Sequence, residues 1–266
     1  MKKNLIKIIG FSQLRNEHEK GNLRNWLKQM FQVCEHVYVY DQNSTDGSQK
    51  IYKEYENLHV IYSNENRFSE EITCKGELLN KVLTEHPDTH YIFWVDGDTL
   101  VDGKLLANNG ENLQNLCHSG IQSDIDGFKF EHYNLWRSDI YYRVDDRYHD
   151  LNGGVCALWR NNGRLSYPTK NGLHHQQWPN GIDKIAQVPF GLIHRGFATD
   201  YQIITKYKVY GSRGQSGWAL DRLLNEEGLT VERLPDYYLP EWFQITDDVH
   251  PQNKKRMREV YEENNQ

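Results

Sequence analysis

At 266 residues the chain can bury a full hydrophobic core, and it fits one large α/β domain or two small ones. Its net charge of -6 and pI near 6.1 give no global attraction to nucleic acid or an anionic membrane, so any phosphate must be met by a local group of cations. Mean hydropathy is -0.82, yet 7 Trp, 17 Tyr and 9 Phe are present, which argues for a folded chain and against disorder.

The N-terminal "MKKNLIKIIGFSQL" is interrupted by Lys7 and lacks a small-residue cleavage site, so it reads as a first strand over 5–11 and not as a targeting segment. A helix is predicted over 17–34, with Leu23, Trp26, Leu27, Met30 and Phe31 on one stripe. "HVYVYD" (36–41) is the second strand. It ends in Asp41 and the turn "QNSTDGS", whose Ser44, Thr45 and Asp46 offer caps for a helix over about 48–56. A third strand (58–63), a long amphipathic helix (69–86) and a fourth strand, "YIFWVD", complete an alternating pattern. That alternation implies right-handed crossovers and a mainly parallel sheet.

Past residue 100 the order loosens. Residues 124–136 and 153–160 read as strands of mixed pairing, while 137–152 and 161–182 are polar, aromatic and rich in Gly and Asn, as binding loops are. A strand follows at 185–194, then helices over about 200–210 and 217–227, closed by Gly211 and Gly228. The charged end of the chain reads as a solvated helix or frayed tail. The expected organisation is one domain over 1–235, with halves 1–105 and 106–235, and a tail over 236–266. Cys34, Cys74, Cys117 and Cys156 show no CxxC or zinc spacing and read as reduced thiols. No stretch approaches the ~20 apolar residues of a membrane span. A cytoplasmic protein without a transmembrane segment is expected.

"FWVDGDTL" (93–100) stands out, because Asp96 and Asp98 follow a buried strand with only Gly97 between them. Their mutual repulsion is tolerable where water or a cation screens it, and open α/β sheets place ligands at the carboxyl ends of their strands. The stretch therefore reads as a site.

The order of "IIGFSQLRNE", "VYVYDQNSTDGS" and "YIFWVDGDTL" resembles the nucleotide-sugar half of GT-A-fold glycosyltransferases, specifically the family 2-like group. The resemblance covers residues 4 to about 105 well and the remainder in outline. It implies a GT-A, Rossmann-like fold with a mainly parallel mixed sheet flanked by helices. The implied partners are a UDP- or GDP-linked sugar donor and a glycan or glycoconjugate acceptor. The implied cofactor is Mn²⁺ or Mg²⁺, which suits oxygen ligands and a departing diphosphate.

By that resemblance Asp98 binds the metal, and Asp96 touches the ribose or the metal's shell. Asp41 accepts from the base or ribose, although a turn or cap role accounts for it equally well from the residues alone. Leu14 and Arg15 flank the nucleotide, and Arg67 and Lys75 are the nearest cations, with a solvated helix face as their alternative. His194, at a strand end before Gly196, is the expected third metal ligand. Arg195, Lys206, Lys208 and Arg213 hold the diphosphate or form a basic face. For an inverting transfer the base is sought among Asp145, Asp146 and Asp150, with Asp145 first and Glu131 as a rival. Trp136, Trp159, His174, His175 and Trp178 offer an acceptor platform or, for Trp136 and Trp159, core aromatics. "VDGDTL" also looks like the nucleophile motif of haloacid-dehalogenase-like phosphatases, and a silent sugar- or nucleotide-binding module on the same fold is the other alternative.

Overall fold

The computed structural model describes residues 5–146, 148, 154–168 and 178–264. The first half alternates as expected: β1 (Ile8–Leu14), α1 (Leu23–Val33), β2 (His36–Asp41), α2 (Ser48–Tyr52), β3 (Leu58–Tyr62), α3 (Glu71–Glu85) and β4 (Tyr91–Trp94). These four strands run parallel in the order β3-β2-β1-β4, with β1 between β2 and β4. Every residue of β4 is buried, and so is all of β1 but Gln13. A strand covered on both faces needs the unbroken apolar and aromatic run that these sequences carry.

Beyond β4 come β5 (Thr99–Val101), α4 (Gly103–Gln122), β6 (Gly127–Asn134), β7 (Tyr141–Arg143), β8 (Val155–Arg160), β9 (Ile185–His194), α5 (Asp200–Ser212), α6 (Trp218–Asp221), β10 (Val231–Arg233) and α7 (Met257–Glu263). The sheet continues past β4 as β8-β6-β9-β5, giving eight strands. β8 is antiparallel to β4 and β6, β9 is parallel to β6, and β5 closes the edge antiparallel to β9. The result is a mixed α/β, Rossmann-like architecture. The turn holding Asp96 and Asp98 carries the chain from the middle of the sheet, at β4, to its far edge, at β5.

Several elements differ from expectation. Residues 17–22 precede α1 as a turn, because Glu17 accepts the backbone N–H groups of Asn22 and Leu23 through its carbonyl. Helix α4 was not anticipated. Its sequence is broken by Asn108, Asn109 and Gly110, all at positive φ, which divides two helical pieces and hides their common period. Asp102 caps it, accepting from Lys104 N at 2.7 Å and from Gly191 N at 3.0 Å. A Cβ at Gly120 would lie 2.5 Å from the Tyr91 hydroxyl and 2.6 Å from Phe128, so glycine is what lets α4 lie against the sheet. Helix α5 opens with a capping box between Thr199 and Gln202, and the glycine past its end at positive φ is Gly214, not Gly211. Helix α6 is a single turn.

The segment expected as a solvated tail folds back on the body. Met257 is fully buried among the residues of α5 and the loop after α6, and Asp139 accepts from the backbone of Thr246 and Asp247. Apolar positions at Tyr238, Leu239 and Met257 supply the burial, and Lys254 turns inward to the Arg137 carbonyl and Asp247.

A candidate functional site at the carboxyl ends of the strands

Asp98, His194 and Lys206 converge although they come from the β4–β5 turn, the end of β9 and α5. Asp98 Oδ2 lies 3.3 Å from His194 Nε2 and 3.3 Å from Lys206 Nζ, and Lys206 Nζ lies 3.3 Å from His194 Nε2. A backbone bond from Arg195 N–H to Asp98 O, 2.7 Å, ties the two strand ends together. Asn134, at the end of β6, sits 2.9 Å from His194 Nδ1 through its side-chain oxygen. In that arrangement Nδ1 carries the hydrogen, so the Nε2 lone pair points at the gap shared with Asp98.

Two glycines shape the gap. A Cβ at Gly196 would come 2.0 Å from Lys206 Nζ, 2.4 Å from His194 Nε2 and 2.6 Å from Asp98 Oδ2. The missing side chain is thus the space in which the three groups meet. A Cβ at Gly97 would come 2.6 Å from Leu14 and 2.8 Å from Glu17, which is why the residue between the two aspartates is glycine.

The charges are strongly coupled. Desolvation pushes Asp98 up, and the His194 ring and Lys206 ammonium more than reverse it, holding the carboxyl well below its ordinary 3.8. Desolvation lowers His194, and the charge of Asp98 opposes that shift. Desolvation lowers Lys206, and the charge of Asp98 more than reverses that, so it remains an ammonium.

Asp96 lies beside this group on an accessible cleft floor, with protein on most sides. Desolvation pushes it up to about 7; Lys75 opposes the shift, and Asp98 and Glu71 add to it. Lys75 is buried, bridges to Glu71 at 2.7 Å and stands over the Trp94 ring at 4.1 Å. The Tyr167 hydroxyl is raised by desolvation and by the charges of Glu71 and Asp96, which places it near the same wall.

Glu17 was missed in the sequence. It is buried, bonded to Lys20 at 2.7 Å and Asn22 at 2.9 Å, and raised by desolvation and by Asp98. The only sequence signal was its place three residues past the first strand, inside a stretch assigned to a helix. Arg15 is exposed at the end of β1, and Arg213 is lowered by desolvation and then by the charge of Arg15. Two neighbouring cations at the rim suit an anionic ligand.

Other expected residues lie differently. Leu14 is buried beneath Gly97. Asp41 is fully buried with both oxygens committed: Oδ1 accepts from Ser44 N at 2.9 Å and Oδ2 from the Tyr52 hydroxyl at 3.0 Å. Its carboxylate thus shapes the turn after β2. Arg67 is held by Glu70, Glu77 and Tyr40. Asp145 pairs with the buried Arg143 at 2.5 Å, whereas Asp146 is exposed. Asp150, His174 and His175 lie outside the described residues. Glu131 accepts from Tyr133. Trp136 and Trp159 are core residues and not an acceptor platform: both are fully buried, and their ring N–H groups donate to Glu226 and to Cys156 O. Trp178 is partly buried against the same cluster as Trp159.

An imidazole and a carboxylate, 3.3 Å apart and both facing one cationic point, are a donor set that fits a divalent ion such as Mn²⁺, with Asp96 as a second carboxylate alongside. Lys206 supplies the positive charge in the arrangement described here.

No protein-family model matches the chain, and no curated protein matches it. Among solved structures, UDP-glucose pyrophosphorylase complexed with UDP-glucose is similar at a TM-score of 0.30 and 12% identity, over 53% of this chain and 68% of that one. A likeness this loose bears on neither substrate nor reaction. No helix among the described residues is long and apolar enough to cross a membrane.

Proposed function

We propose that the chain is a glycosyltransferase that moves a sugar from a UDP- or GDP-linked donor to a hydroxyl of a glycan or glycoconjugate. The observation that carries this reading is the convergence of Asp98, His194 and Lys206 around the missing side chain of Gly196, at the carboxyl ends of β4 and β9. Asp98 and His194 would hold a divalent Mn²⁺ or Mg²⁺, with Asp96 completing the ligands or meeting the ribose. Such an ion, when bound, neutralises charge that builds on a departing diphosphate.

The protein's own groups supply the rest. Asn134 fixes the His194 tautomer, so the ring offers a lone pair without waiting for a proton to leave. Lys206 gives the cleft a fixed positive charge beside Asp98, and Arg15 with Arg213 extends that charge along the rim toward a phosphate. Lys75, buried over the Trp94 ring, offsets the two aspartates and keeps the cleft floor from accumulating negative charge. Asp145 is a poor candidate for the acceptor base because Arg143 engages its charge, which leaves Asp146 among the described carboxylates of that segment.

A panel of UDP- and GDP-sugars incubated with the protein and Mn²⁺ tests the reading through release of the nucleoside diphosphate. Release from one donor, lost in Asp98→Asn, is expected. Hydrolysis of simple phosphate monoesters with no release from any donor would instead support the phosphatase that uses Asp96 as nucleophile.

A further inference from the structure

The opposite end of the parallel sheet carries a second polar cluster, made of residues 36, 59 and 86. His36 opens β2, His59 is the second residue of β3, and His86 caps the end of α3. One nitrogen from each ring lies within 4.8 Å of the other two. His36 Nδ1 and His59 Nε2 are only 3.1 Å apart, and the His36 and His86 rings are 4.4 Å apart at 30°. We propose that these three histidines form a binding site for a first-row divalent metal, Zn²⁺ foremost, that joins β2, β3 and α3.

Three arguments carry this. The first is donor chemistry. Imidazole nitrogens bind Zn²⁺ at about 2.0–2.1 Å in tetrahedral sites, which sets ligand nitrogens ~3.4 Å apart. The His36–His59 pair already stands near that spacing, and rotation of the half-exposed side chains closes the remainder. The second is the proton count. At 3.1 Å one of the two facing nitrogens must carry a hydrogen for the other to accept, because two bare lone pairs repel. A metal removes that constraint: both lone pairs bind it, and the hydrogens move to the outer ring nitrogens. The outer nitrogen of His36, Nε2, then faces Glu35 Oε1, 3.9 Å away, as the outer N–H of a metal-bound histidine faces a carboxylate.

The third argument is the surroundings. His86 Nε2 is buried and has no hydrogen-bond partner among the described residues, an unspent polar atom inside the cluster. Tyr38 stacks on His59 at 4.5 Å and 12°, fixing that ring, and donates to Glu85 at 2.5 Å. Glu85, next to His86, has its two oxygens engaged by Lys81 and the Tyr38 hydroxyl, so water takes the fourth position. Lys7, Lys81 and Asp88 are the other charged groups that act on the rings. Because the cluster lies at the amino ends of the strands, a metal there would pin the framework and take no part in the chemistry of the cleft.

The test uses full-length protein without a polyhistidine tag, stripped by chelator and titrated with Co²⁺, then with Zn²⁺. One equivalent of Co²⁺ is expected to give the visible absorption of a tetrahedral site, and Zn²⁺ to displace it. The band should persist in Asp98→Asn, which separates this site from the cleft. It should weaken at least tenfold in affinity in His36→Ala and in His59→Ala. His86→Gln, at a helix end, serves if a strand variant fails to fold. Zn²⁺ should also raise the melting temperature of the wild type and leave that of His86→Gln unmoved. Absence of stoichiometric Co²⁺ binding, or undiminished binding in these variants, overturns the proposal.

Discussion

The two ends of the parallel sheet hold polar clusters of opposite character. At the carboxyl ends, Asp96, Asp98, Glu17, Lys206, Lys20 and Lys75 bring many ionisable groups close together, and Asp96, Asp98 and Glu17 are shifted by their neighbours. At the amino ends, the cluster is three imidazoles with one nitrogen of each within 4.8 Å of the others. Beside them in direction, at the start of β6, Asp126 accepts from Asn162 at 2.8 Å and from the backbone of Asp183 and Lys184. The amino end spends its polar groups on holding loops and strands. The carboxyl end leaves charge facing a gap, the arrangement expected where a ligand completes the electrostatics.

Substitutions that touch one end and spare the other sharpen this contrast. The largest effect is expected from Asp98→Asn, which removes the charge shared by His194 and Lys206. Donor turnover should fall ~10²–10³-fold, as when one electrostatic stabiliser is lost, with a lowered melting temperature because the Lys206 ammonium loses its carboxylate partner. Gly196→Ala should cost at least ~10-fold, since its methyl group would occupy the space between the three side chains. Circular dichroism would confirm that the fold is retained. His59→Ala should weaken Co²⁺ binding at least ~10-fold while leaving nucleotide affinity within about twofold, a separation that would fail if the two ends were coupled.

Smaller effects fall on stability alone. Asp126 is buried, and although desolvation raises it, hydrogen bonds from Asn162, Lys184 and Asp183 bring it below its ordinary 3.8. A folded value below the unfolded one means stability present above pH ~4 and lost as pH falls through the folded value. Asp126→Asn should therefore unfold more readily at pH 7, by about 1–3 kcal/mol in urea titration, and show a flatter loss of stability below pH 4 than the wild type. Asp41→Asn should do less, about 1 kcal/mol, and change nucleotide affinity far less than Asp98→Asn, because both of its oxygens already serve the turn.

The parallel half was legible in the sequence because β1, β2 and β4 are buried on both faces and its helices carry single apolar stripes. "HVYVYD" and "IAQVPFGLIH" became β2 and β9 with the bounds expected of them. Asp96, Asp98 and His194 were also singled out, each by its place at a strand end, and the structure brings Asp98 and His194 together. Glu17 was hidden because a buried carboxylate after a strand looks like the first turn of an amphipathic helix. Helix α4 was hidden by Asn108 and Asn109 in the left-handed region, a conformation that no periodicity reveals. The histidine cluster is invisible to spacing, since 36, 59 and 86 meet only through the pairing of β2 with β3 and the return of α3.

The central claim is that the Asp98–His194–Lys206 gap is a nucleotide-sugar site. Calorimetric titration of the protein with UDP and with GDP, each with and without Mn²⁺, addresses it most directly. The account predicts that one nucleotide binds, more tightly with Mn²⁺, and that Asp98→Asn loses the metal-dependent part. Equal affinity for both nucleotides in wild type and Asp98→Asn, or no binding by a folded protein under any of these conditions, would contradict it.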